Sequence, residues 1–193
     1  MQYGICHLSI IPVRSTPDQI SEMVTQLLFG EHYKVLESRK NWSKIKTIYD
    51  KCEGWIMNNQ LTFISEDEFN TILAVKEYQY VAELISFVED SNKILTPILI
   101  GSSIPNTPSL NVNFGGVVLS SVKPKEKMIK TALLYLNSPE LKGGKSPFGI
   151  DSAGFVQMVY KINGYHLFRT AESQSTQGTA LSFLIMPTVL LIT

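Results

Sequence analysis

The first third of the chain alternates apolar and polar residues in short runs broken by turn residues. Residues 4–11 carry Ile5, Leu8, Ile10 and Ile11, and Pro12-Val13-Arg14 leads from them into the turn cluster Ser15-Thr16-Pro17-Asp18. Residues 23–29 read as a strand that turns at Gly30-Glu31, and residues 33–37 alternate. In residues 42–49 a period of two puts Trp42, Lys44, Lys46 and Ile48 on one face and Ile45, Thr47 and Tyr49 on the other. Residues 50–53 form a hairpin connection, and Gly54-Trp55-Ile56 closes the set. Successive side chains of a pleated strand point to opposite faces, so this period is the mark of a half-buried strand. Short strands with turn signals roughly every 8–12 residues predict a small β-barrel over residues 1–64.

The period then changes. Ser65 and Glu68 stand three apart in the pattern of a capping box, ahead of Phe69, Ile72 and Leu73 at helical spacing. A helical linker is expected over 65–79. Residues 80–122 return to strands at 81–88, 94–100 and 116–119, punctuated by Pro97, Pro105, Pro108 and Gly115-Gly116. Pro124 suits the first position of a helix, and Met128, Ile129, Ala132, Leu133 and Leu136 give that helix an apolar stripe, with Lys125, Lys127 and Lys130 elsewhere. Asn137-Ser138-Pro139 ends it. A second helix begins at Asp151-Ser152, presents Phe155, Val156, Val159 and Ile162, and stops at Asn163-Gly164. Residues 183–193 are apolar, broken at Pro187, and predict one buried strand too short to span a bilayer.

Composition narrows the function classes. Seventeen basic residues balance seventeen acidic ones among 193, so neither nucleic acid nor an anionic membrane is favoured as a partner. The first residues lack a basic region followed by an apolar run, which predicts a cytoplasmic protein, or a periplasmic one if the true N-terminus lies upstream. Cys6 and Cys52 have no metal-ligand spacing, so no metal and no cofactor are expected; a disulfide between them is an alternative, but without an export signal two reduced thiols are expected.

The candidate chemistry sits at the start of the second helix. A side chain at position 152 meets the positive end of the helix dipole, where a cysteine thiolate is stabilised as a nucleophile; here the residue is serine. Gly149-Ile150-Asp151-Ser152-Ala153-Gly154-Phe155-Val156-Gln157 resembles the nucleophile segment of the NlpC/P60 cysteine peptidases, which cut bacterial cell-wall peptides and read Gly-Ile-Asp-Cys-Ser-Gly-Phe/Leu-Val-Gln. The resemblance extends over residues 124–182. The order Pro-Val-Arg, Gly-Glu, Trp, Gly-Trp-Ile before it resembles bacterial SH3 modules.

The resemblance implies an α+β chain. An SH3-like β-barrel at 1–64 and a helical linker at 65–79 precede a second, degenerate SH3-like module at 80–122 and a truncated papain-like NlpC/P60 domain at 123–193. It implies Ser152 at the nucleophile position and Asp151 as the partner of the substrate's N-terminal ammonium. Glu140 stands where the family has a pocket tyrosine, Lys142 where it has tryptophan, and Ala153 where it has serine. Arg169-Thr170-Ala171-Glu172 replaces an Arg-Asp-Ala-Ser run, and Trp42 and Trp55 are either a peptide-contacting wall or barrel aromatics. The family's histidine lies on a strand beyond residue 193, leaving His7, His32 and His166. A serine-hydrolase elbow needs glycine two residues before the serine, and position 150 is isoleucine. These substitutions predict a muropeptide-hydrolase relative without activity, or a non-catalytic muropeptide-binding or protein-interaction module. The implied partner is a murein peptide with a free N-terminal L-Ala, and an incomplete C-terminal domain predicts self-association.

Overall fold

A computed structural model describes residues 2–105, 107–181 and 189–191. Seven strands come first: β1 (Gln2–Ile5), β2 (Ile10–Arg14), β3 (Met23–Leu28), β4 (His32–Ser38), β5 (Trp42–Thr47), β6 (Glu53–Met57) and β7 (Phe63–Ile64). They pair antiparallel in the order β3-β2-β6-β5-β4-β1-β7. The SH3-like strand set is therefore present, but the ladder expected to close into a barrel stays open between β3 and β7 among the described residues. The reason lies at β3. Residues from the C-terminal part occupy its flank: the Lys145 N–H donates to Gln26 Oε1 at 2.7 Å, and Gly143 lies against the Met23 carbonyl.

The predicted alternation of β5 holds. Ser43, Ile45 and Thr47 are buried, while Trp42, Lys44 and Lys46 are half-exposed. Ile45 joins Cys6, Ile11, Val13, Leu27, Tyr33, Val35 and Ile56 in the core of this sheet. Burying each large aliphatic side chain contributes roughly 1.5–3 kcal/mol. Both thiols are free, and burial pushes the Cys52 thiol up to about 12.

Helix α1 (Glu66–Leu73) starts at the predicted capping box. Ser65 Oγ accepts the Glu68 N–H at 3.1 Å, and Glu68 Oε2 accepts the Ser65 N–H at 3.2 Å. Glu68 also accepts from Thr107 Oγ1 (2.6 Å) and from the Ser109 N–H (2.9 Å), so one carboxylate caps the helix and holds a distant loop. Those hydrogen bonds keep its carboxyl near 2. Phe69 and Ile72 point inward and share a core with Tyr3, Ile5, Phe29 and Ile64 on one side and Val81, Val88, Ile98 and Leu110 on the other. Residues 1–64 and 80–122 are joined through that core. In the second stretch β8 (Tyr80–Val81) pairs with β12 (Val118–Leu119), and β9 (Ile85–Glu89) lies between β10 (Leu95–Leu99) and β11 (Asn113–Phe114).

The next helix departs from expectation. α2 spans Lys127–Leu133. Pro124 and Lys125 lie before it, and their carbonyls accept the N–H groups three residues on, a tighter lead-in turn. Its apolar stripe faces outward, with Ile129, Leu133 and Leu136 67%, 60% and 70% exposed. Thr131 and Tyr135 are the buried positions instead. Asn163 Nδ2 donates to Thr131 Oγ1 at 2.9 Å, and Tyr135 meets Phe155 edge-on at 6.0 Å. A polar anchor and one aromatic ring orient this short helix, not its stripe. The hairpin β13 (Lys145–Ser146) and β14 (Gly149–Ile150) then feeds α3 (Ser152–Ile162), which is followed by α4 (Ala171–Ser175). The predicted tail strand at 183–193 lies outside the described residues except for β16 (Val189–Leu191), which pairs with β15 (Thr179–Leu181).

Ser65→Ala is expected to lower the unfolding free energy by about 1 kcal/mol, the usual cost of losing an N-cap. Glu68→Ala should cost more, because the 107–109 loop loses its acceptor as well. Urea unfolding of the two variants checks this; equal midpoints would mean that the loop contacts add nothing.

Candidate functional site

The site is built where the β13–β14 hairpin, the first turn of α3 and strand β3 converge. Two glycines allow the approach. Gly143 has φ +80°, and a Cβ there would lie 2.2 Å from the Met23 carbonyl oxygen. A Cβ on Gly154 would lie 2.4 Å from the Gly144 carbonyl oxygen. Any larger residue at either position pushes the loop off the sheet or off the helix.

Asp151 is the N-cap of α3, as its position predicts, and accepts the Gly154 N–H on Oδ1 at 2.6 Å. Oδ2 accepts the Gly143 N–H at 2.8 Å. Arg169 completes the shell with a two-pronged pair, Nη1 to Oδ1 at 2.9 Å and Nη2 to Oδ2 at 2.7 Å. Burial alone would raise this carboxyl; Arg169 and the two backbone N–H groups outweigh it and hold the carboxyl below its ordinary value. Arg169 is itself buried, and its remaining donors reach Thr25 Oγ1 on β3 (3.2 Å) and the Gly144 carbonyl (3.3 Å). The structure thus brings Asp151 and Arg169 together as partners of each other.

The other predicted residues are more scattered. Ser152 opens α3 with an exposed side chain, and its hydroxyl has no hydrogen-bond partner among the described residues. Ala153 follows it, half-buried, its carbonyl accepting from Gln174 Nε2 at 2.9 Å. Glu140 is exposed and bridges to Ile150 through backbone alone. Lys142 pairs with Glu22 at the surface, 2.7 Å away. Trp55 is buried beneath the Arg39 guanidinium, 4.3 Å from its ring centroid. Trp42 edges a small groove with Arg14 and Met57. Trp55 on β6 lies opposite Arg14 on β2, which lies opposite Met23 on β3. One ring face of Trp55 is already taken by Arg39.

Among the described residues no histidine is hydrogen-bonded to Ser152. His7 Nδ1 bonds Thr62 Oγ1 at 2.6 Å. His32 is buried between the rings of Phe69 and Tyr78, and burial lowers it to about 4. His166 Nε2 meets the Tyr49 carbonyl at 2.6 Å. The chain after α3 runs back along that helix, with Leu167 beside Gln157 and Arg169 beside Asp151. His166 therefore sits toward the C-terminal end of α3, and the helix rises about 1.5 Å per residue away from Ser152. Among the described residues no group of three or more His, Cys, Asp or Glu is arranged to hold a metal ion.

Sequence reasoning missed a buried charge cluster on the other side of the hairpin. Lys161 Nζ donates to Glu31 Oε1 at 2.5 Å, Lys145 Nζ reaches both Glu31 oxygens at 3.2 Å, and Asp50 Oδ2 lies 3.8 Å from Lys145. All four side chains are almost completely buried. Burial opposes ionisation of Glu31 and Asp50, but the two lysines hold both carboxyls below their ordinary values. Burial pulls Lys161 down against the attraction of Glu31. The one signal available was indirect: Gln157 and Lys161 lie four apart, on the face that also carries the buried Met158 and Ile162.

Comparison with known proteins fits this geometry. The sequence profile described as a bacterial dipeptidyl-peptidase SH3 domain matches residues 13–61. Dipeptidyl-peptidase 6 of Lysinibacillus sphaericus is 29% identical over 188 residues, covering 81% of this chain and 68% of that protein. A γ-D-glutamyl-L-lysine dipeptidyl-peptidase of Bacillus cereus is 26% identical, covering 83% and 56% respectively, so the chain spans little more than half the length of that relative. Among solved structures, an NlpC/P60 family protein from Bacillus cereus superimposes with a TM-score of 0.78 at 16% identity, over 93% of this chain and 78% of that one. An NlpC/P60 endopeptidase from Photobacterium damselae gives 0.68 at 14% identity, over 93% and 47%.

Two outcomes are expected from these contacts. Lys161→Met should cost about 3–5 kcal/mol, the range for breaking a buried ion pair. The double variant Glu31→Gln/Lys161→Met should recover part of that, which a double-mutant cycle in urea measures. Asp151→Asn should lose stability only where the carboxylate is charged. A depressed folded pKa contributes stability that is present above the unfolded value of 3.8 and lost as pH falls through the folded one. The gap between wild type and variant should be constant near neutrality and vanish in acid; a gap independent of pH would contradict the ion-pair account.

Proposed function

We propose that this chain, whose fold is that of the NlpC/P60 proteins behind a bacterial SH3 domain, is a relative of cell-wall peptidases that does not hydrolyse peptides. The observation that carries the reading is Ser152, which stands at the helix end where a thiolate would be stabilised yet carries no thiol, and to which no histidine among the described residues is hydrogen-bonded. A thiol ionises near pH 8.5, and a helix N-terminus or a neighbouring cation can bring it lower. An alcohol is far less acidic and needs a general base within hydrogen-bond reach to become a nucleophile. The histidines of this chain bond or pack elsewhere.

A second reading, non-catalytic binding of a γ-D-glutamyl peptide, draws on the intact frame of the same site. The Asp151 cap, the close-packed glycines and the helix end are all kept. The carboxylate that would take the peptide's ammonium already serves four donors from the chain. An ammonium group therefore competes with Arg169 for Asp151. Binding through this carboxylate is weak, and any firm capture of peptide runs through other contacts.

Incubation with L-Ala-γ-D-Glu-L-Lys and with its diaminopimelate counterpart, followed by mass spectrometry, should release no product beyond a Ser152→Ala control. Ser152→Cys should alkylate with iodoacetamide faster than free cysteine, because the helix end favours the thiolate. Product formed by the wild-type chain would overturn the reading. Calorimetric titration of the same peptides separates binding from inertness.

A further inference from the structure

Toward the end of α3 remote from Ser152, the sheet, the linker after α1 and the segment after α3 enclose a cavity of about 600 Å³. Pockets that bury a small molecule commonly lie between about 300 and 1,000 Å³. Its walls are tyrosine rings. Tyr49 donates its hydroxyl to the Tyr165 carbonyl (3.3 Å), Tyr78 to the Ile72 carbonyl (3.1 Å) and Tyr165 to the Lys123 carbonyl (2.9 Å). Three of the phenols are thus tethered to the protein, which fixes the rings before any ligand arrives. Tyr78 and Tyr80 lie nearly parallel, 6.2 Å apart at 16°. Nε2 of His32, a lining residue only 7% exposed, has no hydrogen-bond partner among the described residues. Buried polar groups are normally paired, so this unmade bond beside the cavity points to an occupant.

The charges choose between ligand types. Tyrosine cages suit cations, but Lys161 already lies 4.9 Å from the Tyr49 centroid and 5.1 Å from that of Tyr80. A second cation would meet that ammonium. Lys51 and Lys76 line the cavity with exposed side chains, against the single exposed carboxylate of Glu77. Glu31, the other acid of the lining, is held by Lys145 and Lys161. The free charge is therefore positive, and the walls are flat and apolar.

We propose that this cavity is a second ligand site, separate from Ser152, that takes a small anion with an aromatic body stacked on the tyrosines and its charge toward Lys51 and Lys76. The probe is 2-naphthoate, with 2-naphthylmethanol and 2-naphthylmethylammonium as neutral and cationic arms, titrated into the full ¹⁵N-labelled chain. Naphthoate should shift the amides of residues 49–51, 76–80 and 165–168 and bind more tightly than either analogue. Lys51→Glu/Lys76→Glu, two exposed changes that leave the core alone, should weaken it about tenfold, the size of roughly 1.4 kcal/mol. The proposal fails if the cationic arm binds equally well, if the double variant binds as wild type does, or if no shift appears in those segments. It also fails if the shifts fall at residues 151–156 around Ser152 or along the exposed face of α2. Peptide turnover at Ser152 bears on none of these outcomes.

Discussion

Four buried charges hold the chain together. Glu31 comes from the β3–β4 turn, Asp50 from the β5–β6 connection, Lys145 from the β13–β14 hairpin and Lys161 from α3. Each element has its own reason to form, but none of those reasons places the sheet against the helix. Taking such groups out of water costs several kcal/mol per ion after relaxation, which only good geometry and further hydrogen bonds offset. Both conditions are met here. Two positive and two negative charges cancel; Glu31 also accepts the Leu28 N–H at 2.9 Å, and Asp50 accepts from Thr47, from Gln157 (3.3 Å) and from the Cys52 N–H (3.4 Å). An apolar contact would tolerate sliding of one layer on the other. This cluster does not, because any displacement strands a charge.

The consequences reach the site around Ser152. With α3 and the hairpin held on the sheet, Gly143 comes up against Met23, and Arg169 reaches Thr25 with one arm while gripping Asp151 with the others. The flank of β3, otherwise an unpaired strand edge, is covered by these contacts. The frame of the site is therefore maintained by folding requirements that do not depend on the residue at 152. A serine there leaves Asp151, its cap and its arginine undisturbed.

What could be read from the sequence was local. The Ser65–Glu68 box, the Asp151 cap, the Asn163-Gly164 stop and the alternation in β5 each depend on residues within four positions of one another, and each is present. The family motif was legible for the same reason. The failures are all long-range. Lys161 reads as a solvated helix residue until its partner, 130 residues earlier, is brought beneath it, and the Lys145 pair spans 114 residues. The stripe on α2 predicted an inward face that Thr131 and Tyr135 take instead, because Asn163 offers a hydrogen bond that no leucine can accept. Asp151 was legible as a cap; the arginine that claims it, 18 residues on, was legible only as part of a motif. Closure of the sheet could not be read from strand periodicity, which is blind to what covers an edge.

The charge cluster and the tyrosine cavity are connected through Lys161. Its ammonium touches Glu31 on one side and faces the rings of Tyr49 and Tyr80 on the other. Those rings stabilise the cation where carboxylates alone would have to, each with one of its two faces. Burial, first, and the nearby acids push both phenols above their ordinary ionisation range. Both rings are therefore neutral around neutral pH, where they face Lys161. The sign of the cavity then follows from the exposed residues alone. Lys51 owes its place at the cavity to a left-handed backbone at φ 57°, in the same β5–β6 connection that supplies Asp50. One short turn thus contributes a carboxylate to the interior and an ammonium to the cavity lining. A lengthening of that turn would disturb the docking of α3 and the charge of the cavity together.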